Sequence, residues 1–291
     1  MRLAFLGTPD VAVGPLRALV DAGHDVAMVV SRPDRRRGRG ASLLPSPVKA
    51  AALELGLPVT DKVDDVLGVG AELGVVVAYG RLIKPHVLAE VPMVNLHFSL
   101  LPRWRGAAPV ERAILAGDDV TGVCVMALEE GLDTGPVYAC VEHPIGAEDT
   151  LDGLRSALSA EGTSLLVRLL ADGLPEPTAQ VGEPTYASKI DPGERHLDWA
   201  QPAEHLHRVV RLGGAWTTFR GKRLLVPRAA LAAVGGRGLA AGEIDPSTLE
   251  VGTGGGGALT LVELQPEGKP VQPAASWRHG ARLAAGDRLG T

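Results

Sequence analysis

Cysteine, aromatic side chains and long apolar runs are all scarce in this chain of 291 residues. Two cysteines, Cys124 and Cys140, are too few for the disulfide framework of a small secreted domain, so we expect both to be separate, buried strand residues. Aromatic residues make up 3 % of the chain, which excludes base stacking as its general means of binding nucleic acid. Apolar runs such as Val75–Tyr79 are far shorter than the roughly 20 residues of a membrane-spanning helix.

The rest of the composition is that of an ordinary folded protein. Apolar residues make up 45 % and charged residues 22 % of the chain, and the net charge is −5. Met1 leads directly into a strand-like run at Arg2–Gly7, without the features of a secretory signal. We therefore expect a cytoplasmic protein with no membrane partner and, at roughly 150 residues per domain, two domains.

Strand-like apolar runs alternate with helix-like stretches over the first two hundred residues. The predicted strands are Arg2–Gly7, Asp25–Ser31, Val75–Tyr79, Val94–Phe98 and Val120–Leu128. The predicted helices are Val11–Val20, Pro47–Leu55 after the capping residue Ser46, Pro85–Ala89, Pro109–Ala116 and Leu151–Ala171. Continuous apolar strands alternating with helices predict an α/β domain with a Rossmann-like, largely parallel sheet.

The pattern changes near residue 190, where a polar stretch leads to a short predicted helix, Ala203–Leu212. Short predicted strands follow, separated by glycine-rich turns, at Arg223–Val226, Thr248–Gly252 and Ala258–Leu264. This pattern is typical of a small β-barrel. We therefore divide the chain into an α/β domain at 1–189, a linker at 190–207 and a β domain at 208–291.

The charge is unevenly distributed along the chain. Residues 204–291 contain 11 lysines and arginines against 7 acidic residues, a net charge of +4, whereas residues 1–203 carry −9. A basic C-terminal third favours an anionic partner for that third, although an imbalance of this size is also ordinary scatter in proteins.

The first strand-to-helix turn argues against nucleotide cofactors. Its sequence, Gly7-Thr8-Pro9-Asp10, has only the first glycine of the Gly-x-Gly-x-x-Gly pattern that lets a backbone approach a pyrophosphate. A Gly-x-x-x-x-Gly-Lys-Ser/Thr loop is absent from the sequence. NAD and ATP are therefore disfavoured, and we look for a site at the carboxyl ends of the central strands.

Asn95 and His97 are two residues apart on the predicted strand Val94–Phe98, so both side chains project from one face. Histidine moves protons near neutral pH, and an asparagine amide donates a hydrogen bond to an oxygen that becomes negative during acyl transfer. Downstream, Asp133 lies in the loop Gly131–Gly135. Its carboxylate is suited to orienting the histidine or holding a water molecule.

The pattern alone leaves three other interpretations open. In the first, Asn95 and His97 have no catalytic role and are ordinary hydrogen-bonded residues at the end of a strand. Ser99, His97 and Asp133 have the residue types of a hydrolase triad, although Ser99 lies outside a Gly-x-Ser-x-Gly turn. His97, Cys140 and His143 are potential zinc ligands, but they lack the closely spaced pair that is typical of zinc sites.

With these residues in place, the sequence resembles the folate-dependent formyltransferases. The resemblance is carried by residues 95–102, Asn-Leu-His-Phe-Ser-Leu-Leu-Pro, and by the Gly-Leu-Asp-Thr-Gly loop at 131–135. The longer run at 99–109, with Pro45–Lys49 and Leu264–Lys269, is similar to the branch of the family that acts on methionyl-tRNA. The resemblance covers nearly the whole chain and is weakest over Ala229–Val251.

The resemblance implies transfer of the formyl group of 10-formyltetrahydrofolate to the α-amino group of initiator methionyl-tRNA, with release of tetrahydrofolate. It implies catalysis by Asn95, His97 and Asp133 without a metal ion, with His97 acting either as a base or as an electrostatic stabiliser. The folate contacts that it implies are Tyr79, Arg81, Leu82, Ile83, Ser99, Leu100, Leu101 and Pro102. The alternative within the superfamily is transfer to a sugar or another small amine.

Two basic regions are the expected contacts for tRNA. The loop at 32–40 contains five arginines in nine residues, and the guanidinium group suits phosphates and base edges. The resemblance implies that this loop and the basic face of an OB-like C-terminal barrel hold the tRNA, and that the enzyme is a monomer. Familiar members follow Gly38-Arg39-Gly40 with two lysines, where this chain has Ala41-Ser42. The expected contacts are Arg35, Arg36, Arg37, Arg39, Arg208, Lys222, Arg223 and Lys269.

Overall fold

The computed structural model describes residues 1–37, 42–233 and 238–291, so Arg39 lies outside the described residues. The strands in chain order are β1 (Arg2–Gly7), β2 (Asp25–Val30), β3 (Arg35–Arg37), β4 (Ser42–Leu44), β5 (Val59–Thr60), β6 (Leu73–Val77), β7 (Met93–His97), β8 (Arg105–Gly106), β9 (Val120–Ala127), β10 (Val137–Pro144), β11 (Tyr186–Ala187), β12 (Trp216–Phe219), β13 (Lys222–Leu231), β14 (Glu250–Gly252), β15 (Ala258–Pro266) and β16 (Gln272–Pro273). The α-helices are α1 (Val13–Asp21), α2 (Pro47–Glu54), α3 (Pro85–Glu90), α4 (Pro109–Ala116), α5 (Leu151–Asp172), α6 (Ala203–Arg211) and α7 (Ala274–Ala281). None of the helices in the described ranges combines the length and apolar character needed to cross a bilayer.

The described chain folds as two compact units. The first unit comprises Met1–Arg112, Asp119–Ile145 and Gly153–Ser188. The second unit comprises Lys189–Thr291 together with two short segments from earlier in the chain, Ala113–Asp118 and Gly146–Asp152.

A seven-stranded sheet in the order β10–β9–β7–β6–β1–β2–β5 forms the centre of the first unit. Strands β5, β2, β1, β6 and β7 pair in parallel, and β9 and β10 complete one edge in the antiparallel sense. Strands β6 and β7 are buried at every position, as apolar strands covered on both faces should be. The predicted α/β class with a largely parallel sheet is confirmed.

Local sequence signals locate the elements of this unit well. The Ser46 side chain accepts a hydrogen bond from the backbone N–H of Lys49 at 3.0 Å, and Pro47 is the first residue of α2. This cap satisfies one of the N–H groups that a helix start leaves without a partner. The strands and helices that the sequence predicts in this unit begin and end within two residues of the observed bounds.

The expectation for the cysteines is wrong. Cys124 on β9 and Cys140 on β10 are directly opposite each other in the antiparallel register, and a disulfide joins them. Cys124 is buried, as expected, but Cys140 is exposed. Strand β10 lacks the continuous buried run of the central strands, so the register that makes the two residues neighbours is not evident from the sequence.

The second unit contains a small sheet in the order β12–β13–β15–β14, with β16 paired to β15. Residues 190–207, expected to be a linker, contribute Leu197, Trp199 and Leu206 to the buried core of this unit. They are therefore part of the folded unit rather than a free connection. Helix α7 was not predicted, and its Trp277 packs in the same core.

Candidate active site

Asn95 and His97 lie on the central strand β7 between β6 and β9. In the register with β9, Asn95 is opposite Met126 and His97 is opposite Cys124. The exposed fractions of Asn95 and His97 are 9 % and 5 %. Polar side chains this far removed from water are normally hydrogen-bonded, so their partners define what the site can do.

Both ring nitrogens of His97 face an oxygen atom. Nε2 lies 2.9 Å from the backbone oxygen of Trp104, and Nδ1 lies 3.7 Å from Oδ2 of Asp133. A carbonyl oxygen only accepts hydrogen bonds, so Nε2 carries the hydrogen of the neutral ring. Nδ1 is therefore the nitrogen that can gain a proton, and it faces a carboxylate that stabilises the charged ring.

The loop between β9 and β10 holds Asp133 in the left-handed backbone region, with φ of 50°. Aspartate tolerates this conformation better than most residues do. Its Oδ2 accepts a hydrogen bond from the backbone N–H of Gly106 at 2.8 Å. A Cβ at Gly135 would lie 2.0 Å from the backbone oxygen of Ala127, so the loop closes only with glycine there. The backbone conformation of the loop thus explains why aspartate stands at position 133 and glycine at position 135 of the Gly-Leu-Asp-Thr-Gly sequence.

Sequence reasoning missed the backbone groups of Trp104 and Gly106, which residue types do not reveal. Gly106 has φ of 120°, and a Cβ there would lie 2.8 Å from the backbone oxygen of Ala187. Glycine thus permits the pairing of β8 with β11. Gln180 and Thr185, in a polar stretch without a motif, also bond to residues of the site. Gln180 and Thr185 are far from those residues in the sequence, so no sequence pattern predicts these contacts.

The two alternative chemistries do not fit the geometry. Ser99 is fully buried, and its hydroxyl donates to the backbone oxygen of Arg103 at 2.6 Å rather than to the histidine. Cys140 is engaged in the disulfide, and Nδ1 of His143 lies 2.9 Å from Oε1 of Glu161. In the part of the chain that the structure describes, no group of three or more His, Cys, Asp or Glu residues is arranged to hold a metal ion.

The segment expected to contact folate follows β6, the neighbour of β7. Tyr79 and Ile83 are only 2 % and 4 % exposed and belong to the hydrophobic core, whereas Leu82 is 77 % exposed and Arg81 is also exposed. Burial raises the pKa of the Tyr79 phenol above its ordinary value, against the opposing charge of Arg81, so the hydroxyl stays protonated at neutral pH. The other expected contacts, beside the buried Ser99, are the half-buried Leu100, Leu101 and Pro102.

The arginine-rich loop of the first unit forms a short hairpin from β3 and β4. Arg35 and Arg36 are exposed on β3, and Arg37 ends that strand. Leu43 on β4 is also exposed. A hairpin that carries adjacent exposed arginines is suited to phosphate contact.

The expected tRNA contacts of the second unit fall into two settings. Lys222, Arg223 and Lys269 are exposed near one end of the sheet, where the backbone N–H of Glu267 donates to the oxygen of Arg223. In contrast, Nη1 of Arg208 lies 3.4 Å from the backbone oxygen of Ala116. The structure therefore brings three of these residues together and directs Arg208 toward its own unit.

Two family models match the chain in succession. The formyl transferase model matches residues 1–170, and the formyl transferase C-terminal domain model matches residues 189–282. Together with the buried Asn–His pair and the aspartate facing it, these matches define a one-carbon group-transfer enzyme. The chain belongs to the formyl transferase family.

Relatives within this family carry a more specific name. A methionyl-tRNA formyltransferase of Roseobacter denitrificans is 45 % identical, with 98 % of each chain covered. A methionyl-tRNA formyltransferase of a Jannaschia species is 46 % identical over 99 % of this chain and all of the relative. The structure of an N-formyltransferase from Helicobacter canadensis, solved with folinic acid and dTDP-3-aminofucose, shares the fold with a TM-score of 0.70 at 17 % identity, covering 91 % of this chain and 98 % of that one.

Proposed function

We propose that this chain transfers the formyl group of 10-formyltetrahydrofolate to the α-amino group of initiator methionyl-tRNA. The products are N-formylmethionyl-tRNA, which serves translation initiation, and tetrahydrofolate. The observation that carries the proposal is the His97–Asp133 pair, buried in a chain that is 45 % identical to a methionyl-tRNA formyltransferase along its length.

Proton transfer in this reaction is assigned to His97 and Asp133. The methionyl amine attacks as the neutral amine and must lose a proton once its nitrogen bonds to the formyl carbon. Nδ1 of His97 is the free position of the ring, and the carboxylate of Asp133 at 3.7 Å stabilises the charge that arrives there. The same pair can return the proton to the departing nitrogen of the donor, so the proton count closes.

Asn95 is assigned to the formyl oxygen. This oxygen gains negative charge as the amine attacks, and an amide N–H directed at such an oxygen is worth roughly 2.7–4 kcal/mol in the transition state. Asn95 is on the same face of β7 as His97, and its exposed fraction of 9 % keeps bulk water from competing for the same oxygen.

The residues beside the site suit a partly aromatic donor. The donor supplies an already activated formyl group, so the protein has to bind, orient and exclude water. Leu82 is 77 % exposed on the loop after β6, the parallel neighbour of β7, and Leu132 is 60 % exposed next to Asp133. Exposed leucines beside a polar site are suited to covering an aromatic ring system. Arg81, which is exposed in the same segment, is suited to the carboxylates of a folate tail.

Binding of the tRNA is assigned to the hairpin arginines, Arg35–Arg37, and to Lys222, Arg223 and Lys269. All of these contacts are of the phosphate-positioning kind and leave the choice of acceptor to the end of the tRNA at the active site. We further propose that catalysis belongs to the first unit and that both units contribute to tRNA capture. The enzyme acts as a monomer. It acts in the cytoplasm, since charged tRNA is used in that compartment.

The test is formyl transfer from 10-formyltetrahydrofolate to a panel of acceptors. Initiator methionyl-tRNA, elongator methionyl-tRNA, uncharged tRNA, glycinamide ribonucleotide and an amino sugar nucleotide are compared by kcat/KM. The proposal predicts that initiator methionyl-tRNA is the preferred acceptor by at least about tenfold, a difference of 1.4 kcal/mol. Preferred transfer to a small amine would contradict it and would favour the superfamily alternative.

A further inference from the structure

The segment 178–187 lies between the two ranges that the family models match, 1–170 and 189–282. Its ends are fixed in the first unit. Thr178 exchanges two backbone hydrogen bonds with Val137 at the start of β10, and β11 pairs with β8. Between these anchors, Gln180 and Thr185 direct their side chains at the backbone of the site.

We propose that Gln180 and Thr185 are positioning residues for formyl transfer, Gln180 acting through Asp133 and Thr185 acting through the Trp104 carbonyl that holds His97. This inference rests on the proposed function, because it assigns a role within that reaction. Neither residue belongs to a recognisable motif, and the contacts of their side chains carry the argument.

Both the nitrogen and the oxygen of the Gln180 side-chain amide form hydrogen bonds. Nε2 donates to the backbone oxygens of Asp133 and Gly135 at 2.9 and 2.8 Å. Oε1 accepts from Nε and Nη2 of Arg105 at 3.1 and 2.7 Å. Arginine only donates and the two carbonyls only accept, so this is the one orientation of the amide that satisfies all four contacts. Gln180 therefore ties the loop that carries the aspartate to the strand β8.

The loop needs such a tie because Asp133 is held at φ of 50°, outside the conformations that most residues prefer. Hydrogen bonds to the carbonyls of Asp133 and Gly135 fix the peptide groups that follow each residue. With the backbone fixed, the carboxylate keeps its bond to the N–H of Gly106 and stays 3.7 Å from His97.

Thr185 acts on the other side of the histidine. Its Oγ1 accepts a hydrogen bond from the backbone N–H of Trp104 at 2.9 Å, and its own backbone oxygen accepts from the N–H of Arg105 at 2.8 Å. The carbonyl of Trp104 is the acceptor for Nε2 of His97. Holding this residue in place fixes which ring nitrogen carries the hydrogen and leaves Nδ1 toward Asp133.

The first test is Gln180→Glu, which keeps the acceptors for Arg105 and replaces the donor with an oxygen that repels two carbonyls. We expect kcat to fall by about 10- to 100-fold, since misplacements of about 1 Å have effects of that size. KM for both substrates should stay within about twofold, because binding groups are untouched. Gln201→Glu is the matched control: its amide donates to Asp198 in a turn of the second unit, and its kcat should equal that of the wild type.

The second test combines Gln180→Glu with Asp133→Asn. If Gln180 acts through Asp133, the double variant should be within about twofold of Asp133→Asn alone, because coupled residues are non-additive. Two independent losses that multiply would overturn the inference, since that is the behaviour of a merely structural residue.

Thr185 keeps the inference testable if Gln180→Glu fails to fold. Thr185→Val should lower kcat at unchanged KM, and Thr185→Ser, which retains the hydroxyl, should restore it. A wild-type enzyme that forms no formylmethionyl-tRNA would refute the proposed function. A wild type that is active, with Gln180→Glu and Thr185→Val at normal kcat, would refute this inference alone.

Discussion

The proposed catalytic pair and the basic hairpin, both in the first unit, are built in opposite ways. The side chains of His97 and Asp133 are only 6 % and 12 % exposed, and backbone groups from distant parts of the chain set their positions. Arg35 and Arg36 are exposed on the two-stranded hairpin of β3 and β4. Chemistry on a formyl carbon needs a fixed geometry, whereas phosphate contact needs charge within reach. The two regions should therefore respond to substitution in different kinetic constants.

The largest effect is expected at His97. His97→Ala removes the position that accepts the proton, so kcat should fall by about 10²- to 10⁴-fold. KM for methionyl-tRNA should change little. The matched control is His86→Ala, whose ring pairs with Asp64 on the exposed surface. A His97→Ala enzyme within threefold of the wild-type kcat would remove histidine from the mechanism.

Asp133→Asn should have the next largest effect. Asparagine also tolerates the left-handed region, so the loop is expected to keep its shape while the negative charge is lost. Without that charge the protonated ring loses its stabilising partner, and kcat should fall by about 10²-fold, within the usual range for a group that assists proton transfer. Steady-state kinetics at saturating tRNA, with circular dichroism as a check of folding, measure it. An Asn variant with normal kcat would show that the carboxylate charge is unnecessary.

Replacing the hairpin arginines should sharpen the contrast. The triple variant Arg35→Ala, Arg36→Ala, Arg37→Ala should raise KM for tRNA about tenfold and leave kcat unchanged. The slope of log K against log salt should fall by about 0.7–0.9 for each phosphate contact removed. Arg168→Ala, on the exposed face of α5, is the control for loss of a surface charge. A triple variant that loses kcat at normal KM would show that the hairpin arginines act in the chemical step rather than in tRNA binding.

The smallest expected effect concerns pH and His207 in the second unit. Burial lowers the pKa of His207, with Arg211 acting in the same direction and Glu148 opposing it. The unfolded chain therefore binds the proton more readily, so the stability contributed by the neutral ring is present above about pH 6.5 and lost progressively below it. Between pH 7.5 and 5.5, His207→Gln should reduce the fall in Tm by about 2 °C. The exposed His279→Gln should leave the fall unchanged.

Much of the first unit was predictable because its signals are local. Each of these signals depends only on residues that are close together in the sequence. They are the Ser46 cap, the apolar strands and the glycines around Asp133. The pairing of Asn95 with His97 followed from strand alternation alone. From these features the fold class and the residues of the candidate site could be predicted.

What could not be predicted depends on contacts between distant residues. Strand β10, with exposed and half-buried positions, lacks the continuous apolar run of a central strand, so the cysteine pair was missed. Trp104 contributes its backbone carbonyl, a group that every residue has, so the residue type does not predict this contact. Gln180 bonds to Asp133 across 47 residues of sequence. Residues 190–207 appeared to be a linker because their few apolar residues are spaced irregularly, yet Leu197, Trp199 and Leu206 are buried.

Formyl transfer to methionyl-tRNA is tested most directly by following both products of one reaction. Purified enzyme is incubated with 10-formyltetrahydrofolate and initiator methionyl-tRNA, and formylmethionyl-tRNA and tetrahydrofolate are quantified together. If the enzyme is a transferase to tRNA, the two products form in equal amounts. Release of tetrahydrofolate and formate with the methionyl-tRNA unchanged would contradict it, because the site would then be a folate hydrolase rather than a transferase to tRNA.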